Sequence, residues 1–192
     1  MTFSNKEGIA IVFDVINSIK ENRDYLSELD GAAGDGDHGI NMNKGFTIAE
    51  MEIVSKESAA MSDGFLIISN VLVSKIGGSM GPLYGSFFRG LYAASKKSEI
   101  IDKDIMLLML EKAYSNISGL TEAKVGDKTL FDVLVPAVLA YRNSVEQGLD
   151  FKVSLENMVK AAADGPMSTK NIPAPPPRRP RPPAPPTRYT PP

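Results

Sequence analysis

The chain has no cysteine and a single histidine. Disulfides, thiol nucleophiles and zinc fingers are excluded together, because each needs sulfur or several imidazoles. Long apolar runs are also missing. No stretch approaches the roughly 18 uninterrupted apolar residues of a membrane span, and the N-terminus has no basic segment leading into an apolar stretch with a small-residue cleavage site. The expectation is a cytoplasmic protein that does not enter a membrane. Proline is scarce until the C-terminal tail: only Pro82, Pro136 and Pro166 precede Pro173, against eleven of the fourteen prolines from there onwards. Charge divides at the same place. The tail from Pro173 holds four arginines and no acidic residue, so residues 1–172 carry 17 basic against 23 acidic side chains, a balance of about −6. An acidic body with a sequence pI near 5.5 argues against nucleic acid as a partner. With 192 residues, 43% of them apolar, the chain can bury a full core, and one domain is expected.

What is present begins with D-G-A-A-G-D-G-D-H-G-I-N, from Asp30 to Asn41. Asp30, Asp35 and Asp37 lie within eight residues, separated by glycines that let the backbone turn and aim them at one point. Two carboxylates at about 4 Å repel by roughly 4 kcal/mol at an effective dielectric near 20, so convergence needs a positive charge between them. No basic residue inside the stretch supplies it. Oxygen ligands from aspartates, completed by water or phosphate, suit a hard ion such as Mg²⁺. A calcium loop starting at Asp35 fails, because its sixth and twelfth positions would be Ile40 and Phe46 instead of Gly and Glu. The plainer alternative is a solvated acidic surface loop.

The remaining pattern is helical. Ile9, Val12, Phe13, Ile16 and Ile19 recur at helical spacing, and Met42, Phe46 and the run from Ile48 to Ile53 predict a second helix starting near Asn41. A third spans about Phe65 to Lys75, where β-branched content leaves a strand as the alternative and length favours a helix. The stretch G-G-S-M-G-P-L-Y-G, Gly77 to Gly85, then opens a fourth helix, with Pro82 in its first turn. Such a turn offers free N–H groups to a phosphate, or serves only to let two helices pack closely. It is not a Walker A loop, since Lys75 lies before the glycines. A fifth helix runs from Asp102, a predicted N-cap, to Ser118. Gly126-Asp127-Lys128-Thr129 then precedes the apolar run Leu130 to Tyr141, with Asp127 or Thr129 capping a sixth helix that Pro136 should kink or delay. A seventh covers about Ser154 to Asp164 and should end at Gly165 and Pro166. The fold class is therefore all-α. In an up-and-down arrangement the three polar turns, between helices one and two, three and four, and five and six, gather at one end.

The segments G-D-G-D-H-G-I-N-M, G-G-S-M-G-P-L-Y-G and V-G-D-K-T-L-F-D-V-L-V-P-A, in this order, resemble the nucleotide-binding L subunit of bacterial dihydroxyacetone kinase over residues 1 to 172. The resemblance implies an antiparallel barrel of about eight helices holding ADP and two Mg²⁺ at one end. In the phosphotransferase-dependent members, ADP stays bound as a coenzyme. A phosphohistidine-carrying donor protein rephosphorylates it, and the phosphoryl group passes to dihydroxyacetone on a separate K subunit. Carried onto this chain, Asp30, Asp35 and Asp37 would bind the metal pair, His38 and Asn41 would lie against the phosphates, Gly78, Ser79 and Met80 would cradle them, and Thr129 and Leu130 would line the nucleotide pocket. His38 could equally orient an aspartate through a hydrogen bond.

The chain departs from that family after Ser168-Thr169-Lys170, where members continue into a glycine- and arginine-containing lid and an eighth helix. Residues 173–192 are too rich in proline for a helix. Arg178 falls where the lid's first arginine is expected, among neighbours that do not match. Loss of the lid and last helix would leave an open seam and a less enclosed nucleotide. The expected division is a nucleotide-binding helical domain, 1–172, and a Pro/Arg-rich tail, 173–192. The alternatives are a non-catalytic protein whose tail recruits a partner through Arg179, Pro182 and Pro185, which fit an R-x-x-P-x-x-P pattern, and an ATP-dependent glycerone kinase domain with exchanging nucleotide.

Overall fold

A computed structural model describes residues 1–32 and 34–173. The tail pattern, Arg178 and the segment expected to hold the lid lie outside the described residues. The elements run β1 (Phe3–Ser4), α1 (Ile9–Glu21), α2 (Arg23–Gly31), α3 (His38–Val54), α4 (Met61–Lys75), α5 (Met80–Ser95), β2 (Ile100–Ile101), α6 (Lys103–Ser118), α7 (Phe131–Glu146) and α8 (Phe151–Ser168). The architecture is an all-α helical barrel. Its small sheet, absent from the sequence expectation, pairs β1 and β2 antiparallel with Phe3 opposite Ile101. Asn5 then fixes the N-terminal strand: its amide donates to the carbonyls of Ser95 and Ser98 at 3.0 and 2.9 Å, and its Oδ1 accepts from the Ser62 N–H at 3.0 Å.

The third predicted segment is a helix, α4, and it is the centre of the larger core. Nine of its fifteen residues are buried, so it reads as apolar on most sides. It starts at Met61, earlier than periodicity suggested, because the Asp63 carboxylate reaches back to accept from the Ala60 N–H at 3.0 Å. Around it pack Val12 and Ile16 of α1, Phe46 and Ile53 of α3, and Phe88 and Leu91 of α5. A second cluster joins α6, α7 and α8 through Ile117, Phe131, Val138, Tyr141 and Phe151. Residues Val15 and Ile19 of α1 face Met158, Val159 and Ala162 of α8 across an apolar cavity of about 710 Å³.

Three boundaries correct the sequence reading. The helix α2 was not expected, because none of its residues is buried and it leaves no apolar periodicity to detect. Only Asn22 separates it from α1, so the polar turns still follow every second long helix. The α3 helix begins at His38, three residues before the expected start. The last helix runs through Gly165 and Pro166 to Ser168 instead of ending there. Gly165 is in helical register because α8 packs its backbone against the Asp132 carbonyl of α7, where any Cβ would collide. That carbonyl is free for the contact, since Pro136 at the fourth residue on has no N–H to donate to it. Asp102 caps α6 as expected, its Oδ1 accepting from Asp104 and Ile105 N–H groups at 3.0 and 2.8 Å. Among the described residues, no helix is long and apolar enough to cross a membrane.

Candidate functional site

Carboxylates and helix ends meet at one end of the barrel. Asp30 comes from the last turn of α2, Asp35 from the connecting loop, and Asp37 from the N-cap of α3. The glycine-rich connection folds tightly: the Gly34 N–H donates to the Asp30 carbonyl at 2.5 Å, and Gly36 takes a left-handed φ of 75°. Gly39 lets α3 approach α2 so closely that a Cβ there would overlap the Arg23 carbonyl. The outcome is a cluster in which one oxygen each from Asp30, Asp35 and Asp37 lies within 4.8 Å of the others. None of the ion pairs among the described residues involves these three groups. Three converging acidic oxygens without a basic partner form a donor set that fits a hard divalent cation.

The hydrogen bonds around the cluster orient it. The His38 N–H points at Asp30 Oδ2 over 3.4 Å, the Asp37 N–H at Asp35 Oδ1 over 3.4 Å, and the Asn41 amide donates to Asp37 Oδ2 at 2.7 Å. The His38 contact with an aspartate is thus through its backbone. Its ring meets Tyr84 edge-on, with centroids 6.1 Å apart.

Beside the cluster lies a cleft of about 600 Å³. Its walls include His38, Ser79, Met80, Thr129 and Leu130 of the sequence-predicted residues; Asn41 and Gly78 are not among its lining. His38, Met80 and Phe131, all on the lining, are the first residues of α3, α5 and α7. Three helix N-termini therefore share one cleft, bringing their positive dipole ends to it. No side chain caps α5, whereas the first N–H of α3 points at Asp30 Oδ2 and that of α7 donates to Thr129 Oγ1. The arrangement suits phosphate groups next to a cation held by the aspartates.

Sequence reasoning missed Tyr84, Leu120, Thr121 and Ala123, which also line the cleft. Tyr84 is half-buried, and the loss of solvent around its phenol holds it above its ordinary pKa. Small or apolar wall residues carry no chemical signature, and the only signal for Thr121 was its place in the turn after α6. The expected caps of α7 are also revised. Asp127 turns back to accept from the Lys124 N–H at 2.9 Å, while Thr129 Oγ1 accepts from the Phe131 N–H at 3.2 Å.

The family model of the DAK2 domain matches residues 32–178. The chain belongs to the DAK2 domain family. Asp35 and Asp37 fall inside the matched residues and Asp30 two residues before them. The domain is 36% identical over 140 residues to the ADP-binding subunit of a PEP-dependent dihydroxyacetone kinase of Listeria innocua, covering 73% of this chain and 70% of that protein. It is likewise 36% identical over 150 residues to the corresponding Escherichia coli subunit, covering 76% and 70%. A D-erythrulose kinase of Mycolicibacterium smegmatis is 28% identical over 159 residues, spanning 81% of this chain but 27% of that longer protein. The match thus covers most of the two subunit-sized relatives and about a quarter of the longer kinase.

Proposed function

We propose that this chain is the nucleotide-carrying subunit of a dihydroxyacetone kinase, in which bound ADP is the phosphoryl carrier. The observation that supports this best is the convergence of three helix N-termini on a cleft flanked by the unpaired carboxylates of Asp30, Asp35 and Asp37. Asp30, Asp35 and Asp37 would hold two Mg²⁺ ions through their oxygens, with Asn41 fixing the Asp37 carboxylate. Ions held there would supply neutralisation of the phosphate charge. His38, Gly78, Ser79 and Met80 position the phosphates, and Thr129 and Leu130 border the rest of the nucleotide. The protein's part is placement and electrostatics, with no covalent step on its own side chains.

The phosphoryl group enters when the P–N bond of a phosphohistidine on a donor protein breaks and an O–P bond to ADP forms. It leaves when a hydroxyl of dihydroxyacetone, held by a separate substrate-binding subunit, loses its proton and forms an O–P bond as the terminal P–O bond of the triphosphate breaks, leaving ADP bound. We assign residues 1–172 to this role, in the cytoplasm, and residues 173–192 to an appended segment. The subunit-sized relatives favour this division of labour over a self-contained ATP-dependent kinase. The paired cleft and carboxylates favour it over a partner-recruiting protein without nucleotide.

The test is to denature purified, extensively dialysed protein and identify what it releases by mass and ultraviolet absorbance. ADP in near-stoichiometric amount, with magnesium, is the expected result. A protein that releases no nucleotide and binds none when ADP and Mg²⁺ are supplied overturns the reading.

A further inference from the structure

We propose that Asp132 is a positioning residue that sets the third wall of the cleft by clamping the backbone of residues 126–130. The inference rests on the nucleotide reading of that cleft. Asp132 lies in the first turn of α7 and is 2% exposed. Its Oδ1 accepts from the Gly126 N–H at 2.5 Å and its Oδ2 from the Thr129 N–H at 2.7 Å. It takes part in none of the ion pairs among the described residues. A buried carboxylate must be compensated, and here the loop's own amides do it with charge-assisted bonds.

Between the two clamped amides sits Lys128, whose φ of 55° is the one left-handed non-glycine backbone among the described residues. Left-handed backbone is uncommon for a lysine, and the two bonds from Asp132 bracket it. Thr129 and Leu130, which follow directly, are among the residues that line the cleft. The depth of the clamp is fixed from behind, where the Asp132 carbonyl meets Gly165 of α8. Both oxygens must accept, so asparagine is not an equivalent. Its NH₂ group would oppose one of the two N–H donors and release that side of the loop.

The test combines amide hydrogen exchange with ADP titration in Mg²⁺, on the full chain. In the wild-type protein without nucleotide, the Gly126 and Thr129 amides should exchange at least about tenfold more slowly than that of Lys128. Asp132→Asn should accelerate those two amides selectively, leave amides of α4 unchanged, and weaken ADP binding by about tenfold. Adding Lys128→Gly, which removes the need for a held left-handed lysine, should recover part of the lost affinity. A merely structural aspartate predicts uniformly faster exchange and no recovery. Asp132→Asn with wild-type ADP affinity, or unprotected Gly126 and Thr129 amides in the wild type, overturns the proposal. Wild-type protein that binds no ADP would instead overturn the nucleotide reading, with the exchange pattern still deciding whether the clamp exists.

Discussion

The side-chain amide of Asn41 donates to Asp37 Oδ2 at 2.7 Å, one helical turn further along α3. The bond holds one acidic oxygen in a fixed direction and leaves the other oxygen of Asp37 for a cation. Replacing Asn41 with Ala removes the orientation without touching the charge. Mg²⁺ titrations at fixed ADP should show affinity falling about ten- to a hundredfold, the size of one hydrogen bond to a charged group that orients a metal ligand. An unchanged Mg²⁺ midpoint would mean that Asn41 does not support the cluster.

Gly39 offers a way to move Asp30 without altering any ligand. A Cβ at this position would collide with the Arg23 carbonyl and come within 2.7 Å of Ser27 Oγ. Overpacking in a closed core costs about 1–3 kcal/mol. Here α2 has no buried residue to resist displacement, so it should yield and carry Asp30 away. Gly39→Ala is expected to lower Mg²⁺-dependent ADP affinity by about tenfold or more while changing the melting temperature little. A large fall in melting temperature with intact binding would contradict this.

Tyr141 governs behaviour at high pH. It is fully buried, donates its hydroxyl to the Lys103 carbonyl at 3.1 Å, and has its pKa pushed well up by burial, with Asp104 and Asp102 adding repulsion. A raised pKa in the folded state means that its contribution is complete below the unfolded tyrosine value near 10 and is lost as pH rises above it. Urea midpoints should therefore fall between about pH 10 and 12 in the wild type. Tyr141→Phe should cost about 1 kcal/mol at neutral pH and show a shallower alkaline decline. Equal alkaline slopes would exclude Tyr141 as the source.

Much of this was legible in the sequence for identifiable reasons. Asp102 announced the start of α6 because a carboxylate before an apolar periodic run has few other uses, the apolar positions of α1 and α3 gave their helices by spacing, and the length of the apolar segment decided α4. The three turns that line the cleft stood out through glycine and aspartate. What escaped depends on packing. The α2 helix is stabilised from one side and exposes Tyr25 and Leu29, so it has no buried stripe to read. Gly165 and Pro166 look like a stop signal, yet α8 continues because the contact with the Asp132 carbonyl requires a residue without a side chain. Asp132 itself resembles an ordinary first-turn acid until its two backward hydrogen bonds are seen.

The central claim, that Asp30, Asp35 and Asp37 hold the cation through which the cleft binds a nucleotide diphosphate, is tested most directly by calorimetric titration of nucleotide-free protein with ADP. The titration would be run with Mg²⁺ and with EDTA, for the wild type and for Asp37→Asn. One-to-one binding that disappears in EDTA and in Asp37→Asn, with helicity unchanged, is the predicted result. ADP affinity indifferent to both chelation and the substitution would contradict the account.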